Sequence, residues 1–499
     1  MILNDRQIYR SRQNGVALLV LAILIAFTVT AYYFSNISLL QVELENDKQT
    51  RTALAKARQA LLSYAVTHWQ SNDRLSLIGQ LPCPDSNNAT PEGEQNAPCG
   101  AAYANAIGYF PWRTLNIDAL YSGDGECLLY AVSPAYKSAP VAAINPDSFG
   151  QFQIVDSAGA VVLGNIPEDR PVAIIFAAGK ALGGQARNHV NNSLCGLDYG
   201  NIAAYLDDDG TTDNAAIDIA VNNVIDRFVH KYDGSEQGAN PLNDSLVTVT
   251  HEDLWQVLDS SITSADFNIA MKNLTEAVAM CFAAYGLNNI DNNLPMPAAL
   301  DLNGGEYRRN TDYDDSANFT TAFAGRLPYN VSSANAVSGV VGTPNIYSNA
   351  FCDAIDLPST IAINENINFS NDAGSDNGEY FDLWQNWKDH FFYAVSNRFK
   401  PDGGGSAAAC DPGGSDCVDV SGTKYAAIIF FSGLKQVGQS RYAPPFEADE
   451  KNVISNYLEN GNPADFPDNS GTGDYDIVGG ASNDVMFCIR EDMSVVECL

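Results

Sequence analysis

Between Gly15 and Gly79 the chain runs for 63 residues without a glycine or a proline, the two residues that most strongly interrupt a helix. No charge occurs from Gln13 to Val42, and Val16 to Ser35 reads VALLVLAILIAFTVTAYYFS. That run is about as long as a helix crossing a hydrocarbon core. Farther on, Leu54, Ala57, Leu61 and Tyr64 form one apolar stripe at helical spacing. The pattern predicts a single long helix over 16–72, roughly 80 Å for the part from Val16 to Gln70. Its first half, 16–35, is expected to span a membrane, and its second half to pack under a globular head.

Arg6, Arg10 and Arg12 precede the apolar run. The positive-inside bias then predicts a single-pass protein with a cytoplasmic N-terminus and everything after Ser35 outside. Three kinds of N-terminus fit: a plain signal anchor, a signal peptide cut near Ala31, and a short leader removed after Gly15. RSRQNG followed directly by VALLVLAIL resembles type IV pilin-like proteins, in which a basic leader ends in Gly and the mature chain opens with the apolar helix. The resemblance covers about 60 residues at the N-terminus. It implies a leader over 1–15, Gly15 and Val16 as the processing site, a single pass of the bacterial inner membrane with the head in the periplasm, and prepilin peptidase and other pilin or pseudopilin subunits as partners beside that membrane. The fifth mature position is Val20, where most pilins carry Glu. In that respect the chain is similar to the K-type minor pseudopilin of type II secretion, which implies a terminal, low-copy place in a filament, at the inner membrane or extending outside the cell.

The remainder contains one pattern twice. Leu81-Pro82-Cys83-Pro84 recurs as Leu294-Pro295-Met296-Pro297, and Leu129-Tyr130-Ala131-Val132-Ser133 as Phe392-Tyr393-Ala394-Val395-Ser396. Ala173-Ile174-Ile175-Phe176 with Gly179, Gln185 and Arg187 recurs as Ala427-Ile428-Ile429-Phe430 with Gly433, Gln439 and Arg441. Tyr205-Leu206 recurs as Tyr457-Leu458, and Asn243-Asp244 as Asn483-Asp484. The expected head is therefore α+β, with two units over 73–258 and 259–499. Each is expected to open with a helix, the second from Ala265 to Tyr285 with Gly286 as its stop, and to lay an antiparallel sheet on it. Strands are predicted over 127–132, 172–176, 246–250, 391–395, 425–430 and 485–489.

Sixty acidic against 27 basic residues give a net charge of −33, which repels phosphate backbones and argues against nucleic-acid binding. Ten cysteines, all beyond the apolar run and without a C-x-x-C pair, argue for disulfides in an oxidising compartment. The nearest pairs are Cys83–Cys99, Cys410–Cys417 and Cys488–Cys498; Cys127–Cys195 and Cys281–Cys352 remain by elimination. The five histidines form no metalloenzyme motif, and there is no nucleophile elbow, phosphate loop or dinucleotide fingerprint. Asp207, Asp209 and Asp213 around Gly210 are the candidate Ca²⁺ ligands, though their spacing is not that of an EF-hand and a solvated acidic loop fits as well. No other cofactor and no catalytic residue is indicated. Gln185/Arg187 and Gln439/Arg441 are the only repeated polar pairs, and hydrogen bonding within the fold is their simplest role. These features favour a structural or assembly subunit of a type IV pilus-like or type II secretion filament. The alternative is a single-pass membrane-anchored adhesin or binding protein.

Overall fold

The computed structural model describes the chain except residues 1–7, 73, 88, 139–142, 188–192, 196–198, 220–223, 233, 238–239, 303–306, 316–321, 332–354, 357–365, 368–378, 402–409, 411–415, 442–449, 467, 469, 478–481 and 499. Helix α1 is continuous from Ile8 to Asn72, 65 residues, about 100 Å. It runs through Gly15 rather than beginning after it.

The expected membrane span is not found. Among the described residues no helix is long and apolar enough to cross a membrane. From Glu43 the helix carries charge, with Glu45, Asp47 and Lys48 in its next turns. The fold expectation of a membrane-spanning first half over 16–35 is corrected accordingly, and so is the single-pass inner-membrane placement with a cytoplasmic N-terminus and a periplasmic head. The chain is α+β, built from helices and several sheets.

The first large sheet takes strands β1 (Ala106–Tyr109), β2 (Leu129–Val132), β5 (Pro171–Ala177) and β7 (Ser245–Thr250) in the order β1-β2-β5-β7, all antiparallel. Between them, β3 (Phe152–Val155), β4 (Val161–Leu163) and β6 (Asp226–Val229) form a small satellite sheet. Helices α2 (His251–Ile262) and α3 (Ala265–Leu287) follow. The second large sheet joins β8 (Ala324–Arg326), β11 (Phe391–Val395), β14 (Ala427–Phe431), β16 (Val485–Ile489) and β17 (Val495–Glu497), again antiparallel. The chain between its strands holds the pair β9 (Ile355–Asp356) and β10 (Asn366–Ile367), helix α4 (Glu379–Trp387), and a second satellite of β12 (Val418–Val420), β13 (Thr423–Tyr425) and β15 (Asp474–Tyr475).

The two large sheets are alike. In each, the YAV strand sits between a short glycine-bearing strand, β1 or β8, and the AIIF strand. Gly108 and Gly325 occupy the same place: a Cβ there would come within 2.5 Å of the Asp85 carbonyl oxygen and 2.2 Å of the Ala298 carbonyl oxygen. Both central strands are buried on both faces, since side chains alternate between two cores. Tyr130 and Val132 point to a central core, whereas Leu129 and Ala131 point to an outer one. Tyr393 and Val395 join the same central core, while Phe392 and Ala394 face another outer core. The expected helix-on-one-face packing therefore gains a second buried layer.

Helix α1 lies on the first sheet and α3 on the second, and both contribute to the central core. Ala53, Leu54, Ala57, Leu61 and Ala65 form the buried face of α1, with alanines admitting close approach to the sheet. Arg58 fixes the register: its Nε donates to the Thr248 carbonyl (3.0 Å) and its guanidinium pairs with Asp253 (2.7 Å). Asp253 in turn caps α2 with Thr250, each side chain bonding the other's backbone N–H. Helix α3 ends at Leu287, one residue past Gly286, its expected stop, with Asn288 as the C-cap.

Candidate functional site

The polar residues shared by the two units converge on one construction, made twice around an arginine. After the AIIF strand β5, the chain turns through Gly179, and Arg187 reaches back to it. Its Nη1 donates to the Gly179 carbonyl (2.8 Å), Nε to the Ala204 carbonyl (2.7 Å) and Nη2 to Gln185 Oε1 (3.0 Å). Gln185 Oε1 also accepts from the Leu182 N–H, and its Nε2 donates to Asp207 Oδ1 (2.7 Å). The guanidinium lies 5.1 Å from the centroid of Tyr205.

The second unit repeats this bond for bond. Arg441 Nη1 donates to the Gly433 carbonyl (2.9 Å), Nε to the Asn456 carbonyl and Nη2 to Gln439 Oε1 (2.8 Å). Gln439 bonds the Gln436 N–H and Glu459, and the guanidinium sits 4.7 Å from the Tyr457 centroid. Asn243 Nδ2 donates to the Lys180 carbonyl (2.8 Å), and Asn483 Nδ2 to the Leu434 carbonyl (2.7 Å). Each asparagine fills the space beside the turn glycine, where a Cβ on Gly179 or Gly433 would collide with it. A planar five-donor group is suited to collecting several carbonyls at once. The construction is an arginine clasp that closes loops over the sheet.

Each clasp contains two carboxyls. Asp244 Oδ2 accepts from the Asp207 backbone N–H (2.7 Å), and Asp484 Oδ2 from that of Glu459 (3.0 Å). Burial, followed by the neighbouring carboxylate, pushes Asp244 up to about 8 and likewise Asp484 up to about 8. Burial also raises Asp207.

Sequence reasoning missed a second cluster, which lies between the two units. Asp147, from an Asn-Pro-Asp turn of the first, meets His390 of the second, with Nε2 to Oδ2 at 3.1 Å, and lies 3.6 Å from Arg441. Asn145 Nδ2 donates to Asp389 Oδ1 (2.8 Å), and Lys451 pairs with Asp389. Arg326 donates to the carbonyls of Asp389, Leu300 and Lys451. All these ionisable groups are buried. Burial alone would raise both aspartates, yet His390, Arg441 and Lys451 hold Asp147 below the usual carboxylate range, and Lys451 and His390 do so for Asp389. Ser432 Oγ lies 3.5 Å from His390 Nδ1, so serine, histidine and aspartate line up. None is exposed above 3 %, so no substrate reaches them, and Nδ1 already faces the Gly433 carbonyl at 3.1 Å. A Ser-His-Asp order in space is insufficient without an approach for the scissile group.

The candidate Ca²⁺ ligands do not converge as a cage. Asp209 Oδ1 accepts from the backbone N–H groups of Thr211 and Thr212 (both 2.8 Å), Asp213 Oδ1 from that of Ala215, and Asp207 belongs to the clasp. Among the described residues no three His, Cys, Asp or Glu side chains are grouped to hold a metal. Bridges join Cys83 to Cys99, Cys127 to Cys195, Cys410 to Cys417 and Cys488 to Cys498, with Cα separations of 5.2–5.8 Å. Cys281 is also disulfide-bonded, and Cys352 lies outside the described residues. Gly15 and Val16 fall within α1. Comparisons with known protein families, with curated proteins and with solved structures find no match for the chain.

Proposed function

We propose that the chain is a pilin-like assembly subunit, a minor pilin or pseudopilin at low copy, whose duplicated head is carried on or caps a filament. The observation that carries this reading is the division of α1. From Ala53 to Ala65 one face is buried in the head, whereas Val16, Leu18, Leu19, Leu21 and Phe27 are 57–72 % exposed. A helix that anchors a head at one end and presents bare apolar side chains at the other needs neighbours to cover them, and a bundle of like helices in a filament supplies that cover. Val20 in place of the usual acid offers no negative charge to a neighbour's N-terminal amine, which favours an end of the filament over its shaft. Disulfides along the head suit a surface that works in an oxidising environment.

Processing tests the reading. N-terminal sequencing of protein from its native host is expected to give a mature chain that begins at Val16, with the leader removed by prepilin peptidase. An intact Met1, or a start at Tyr32, refutes it.

A further inference from the structure

We propose that each unit of the head stores one titrating proton between two carboxyls, Asp207 with Asp244 and Glu459 with Asp484, and that loss of this proton loosens the arginine clasp built on them.

Geometry carries the argument. In both units the second aspartate is buried, with 0 % exposure at Asp244 and 4 % at Asp484. One oxygen of each is bonded to the backbone N–H of its partner acid, which fixes the buried carboxyl beside the partner residue, close enough for the two charges to repel. The other oxygen, Oδ1 in both cases, is buried with no hydrogen-bonding partner among the described residues. A buried carboxylate left so, beside a second carboxylate, is costly; protonating one of the two removes the repulsion.

The cations in reach do not offset both charges. Among the described residues Arg187 is the cation facing Asp207 and Asp244, and Glu126 already pairs with it at 3.0 Å. Arg441 faces Asp484, and it is shared with Asp147 and His390. The remaining groups on the first pair, Gln185, Asn214 and the N–H of Asn243, are neutral, as are Gln439, Ser482 and the N–H of Asn483 on Glu459. That unlike sequences, Asp207 in one unit and Glu459 in the other, make the same pair indicates that the acid pair is a property of the clasp.

The direction follows from linkage. Each buried aspartate titrates in the folded chain near the value of about 8 given above, against about 4 unfolded. The folded state holds the extra proton between these values, so this contribution to stability falls as pH rises through that window. Above it both carboxyls are ionised, and the loops held by Gln185–Arg187 and Gln439–Arg441 bear the repulsion.

Two measurements on the full disulfide-bonded chain test the proposal. Infrared spectra are expected to show buried protonated-carboxyl C=O absorption at neutral pH that disappears as the pH passes about 9. Asp244→Asn with Asp484→Asn should abolish it. Melting of the unsubstituted chain should fall by about 4 °C or more from about pH 6 to about pH 9, and the double variant should lose that part of the slope. Absence of the infrared signal in the unsubstituted chain overturns the proposal even if the variant fails to fold. An unchanged slope in a folded double variant overturns it too, as does a stoichiometric metal found in the purified protein.

Discussion

Lys451 and Asp389 make the sharpest test of what holds the head together. Both side chains are under 5 % exposed, and the ammonium and carboxylate are in contact. Taking two ions out of water costs several kcal/mol each, and their attraction returns this only while both are present. Lys451→Met leaves Asp389 with Asn145 at 2.8 Å and His390 at 3.8 Å, so part of its charge stays satisfied. Asp389→Asn leaves the ammonium with the more distant charge of Asp147 and the ring of Tyr307, 5.8 Å from its centroid. Each single change is expected to cost about 3–5 kcal/mol, with the aspartate substitution at the upper end. The double change, Lys451→Met with Asp389→Asn, should cost less than the sum, because neither ion of the pair is left without the other. Equilibrium urea unfolding of the four proteins gives the coupling energy. Repeating it in about 1 M salt should leave the coupling nearly unchanged, since a dry pair is poorly screened. Single substitutions that each cost less than about 0.5 kcal/mol, or a coupling that vanishes in salt, refute the reasoning. The latter result would mean that water enters the interface between the units.

Two further outcomes follow from the same structure. Disulfide removal should scale with loop length: about 4.4 kcal/mol for Cys127–Cys195, which closes 68 residues, about 3.1 for Cys83–Cys99 with 16, and about 2.4 for Cys410–Cys417 with 7, measured by unfolding of the paired Cys→Ala variants. A reversed order counts against the chain-entropy account. His251 is buried beside Phe149, with Nε2 at 2.7 Å from the Pro146 carbonyl, and burial lowers it to about 4. Its neutral form is required in the folded chain, so stability should fall as pH drops from about 6.5 towards that value. His251→Asn should remove this acid-side loss, and an unchanged pH profile of melting rules the explanation out.

Much of the sheet structure was legible because its strands are apolar on both faces and short. Phe391–Val395 and Val485–Ile489 were placed to the residue for that reason. Predicted 425–430 divides instead into Thr423–Tyr425 and Ala427–Phe431, because the chain passes at Ala426 from the satellite to the large sheet. Helix α2 escaped notice because it begins at His251 directly after strand β7, with no loop to separate the periods, although Thr250 and Asp253 spell its cap. The end of α3 at Leu287 falls one residue past the Gly286 read as its stop, whereas Gly15, read as a break, lies inside α1, since one glycine costs only about 1 kcal/mol. The clasp residues Gln185, Arg187, Gln439 and Arg441 stood out by recurrence alone. Asp147 and His390 did not, being 243 positions apart in sequence and lacking any local pattern.

The two clasps differ in how their arginines are neutralised. Counted from the YAV strands, Glu126 aligns with Asp389 and Cys127 with His390. In the first unit Glu126 neutralises Arg187, and Cys127 closes a bridge to Cys195, so the clasp is satisfied from within. In the second unit the acid at that position, Asp389, takes Lys451 and Asn145 as partners, and the cysteine's place is held by His390. Arg441 is then left needing a negative neighbour, and Asp147 supplies it from the other unit together with a contact to His390. The exchange replaces a covalent staple inside one unit by a buried ion network between two. Such a network tolerates few alternative arrangements, since each wrong pairing strands a charge in a dry interior. It is therefore suited to fixing the orientation of the second unit on the first, and through Arg58 and the core beneath it, on the long helix.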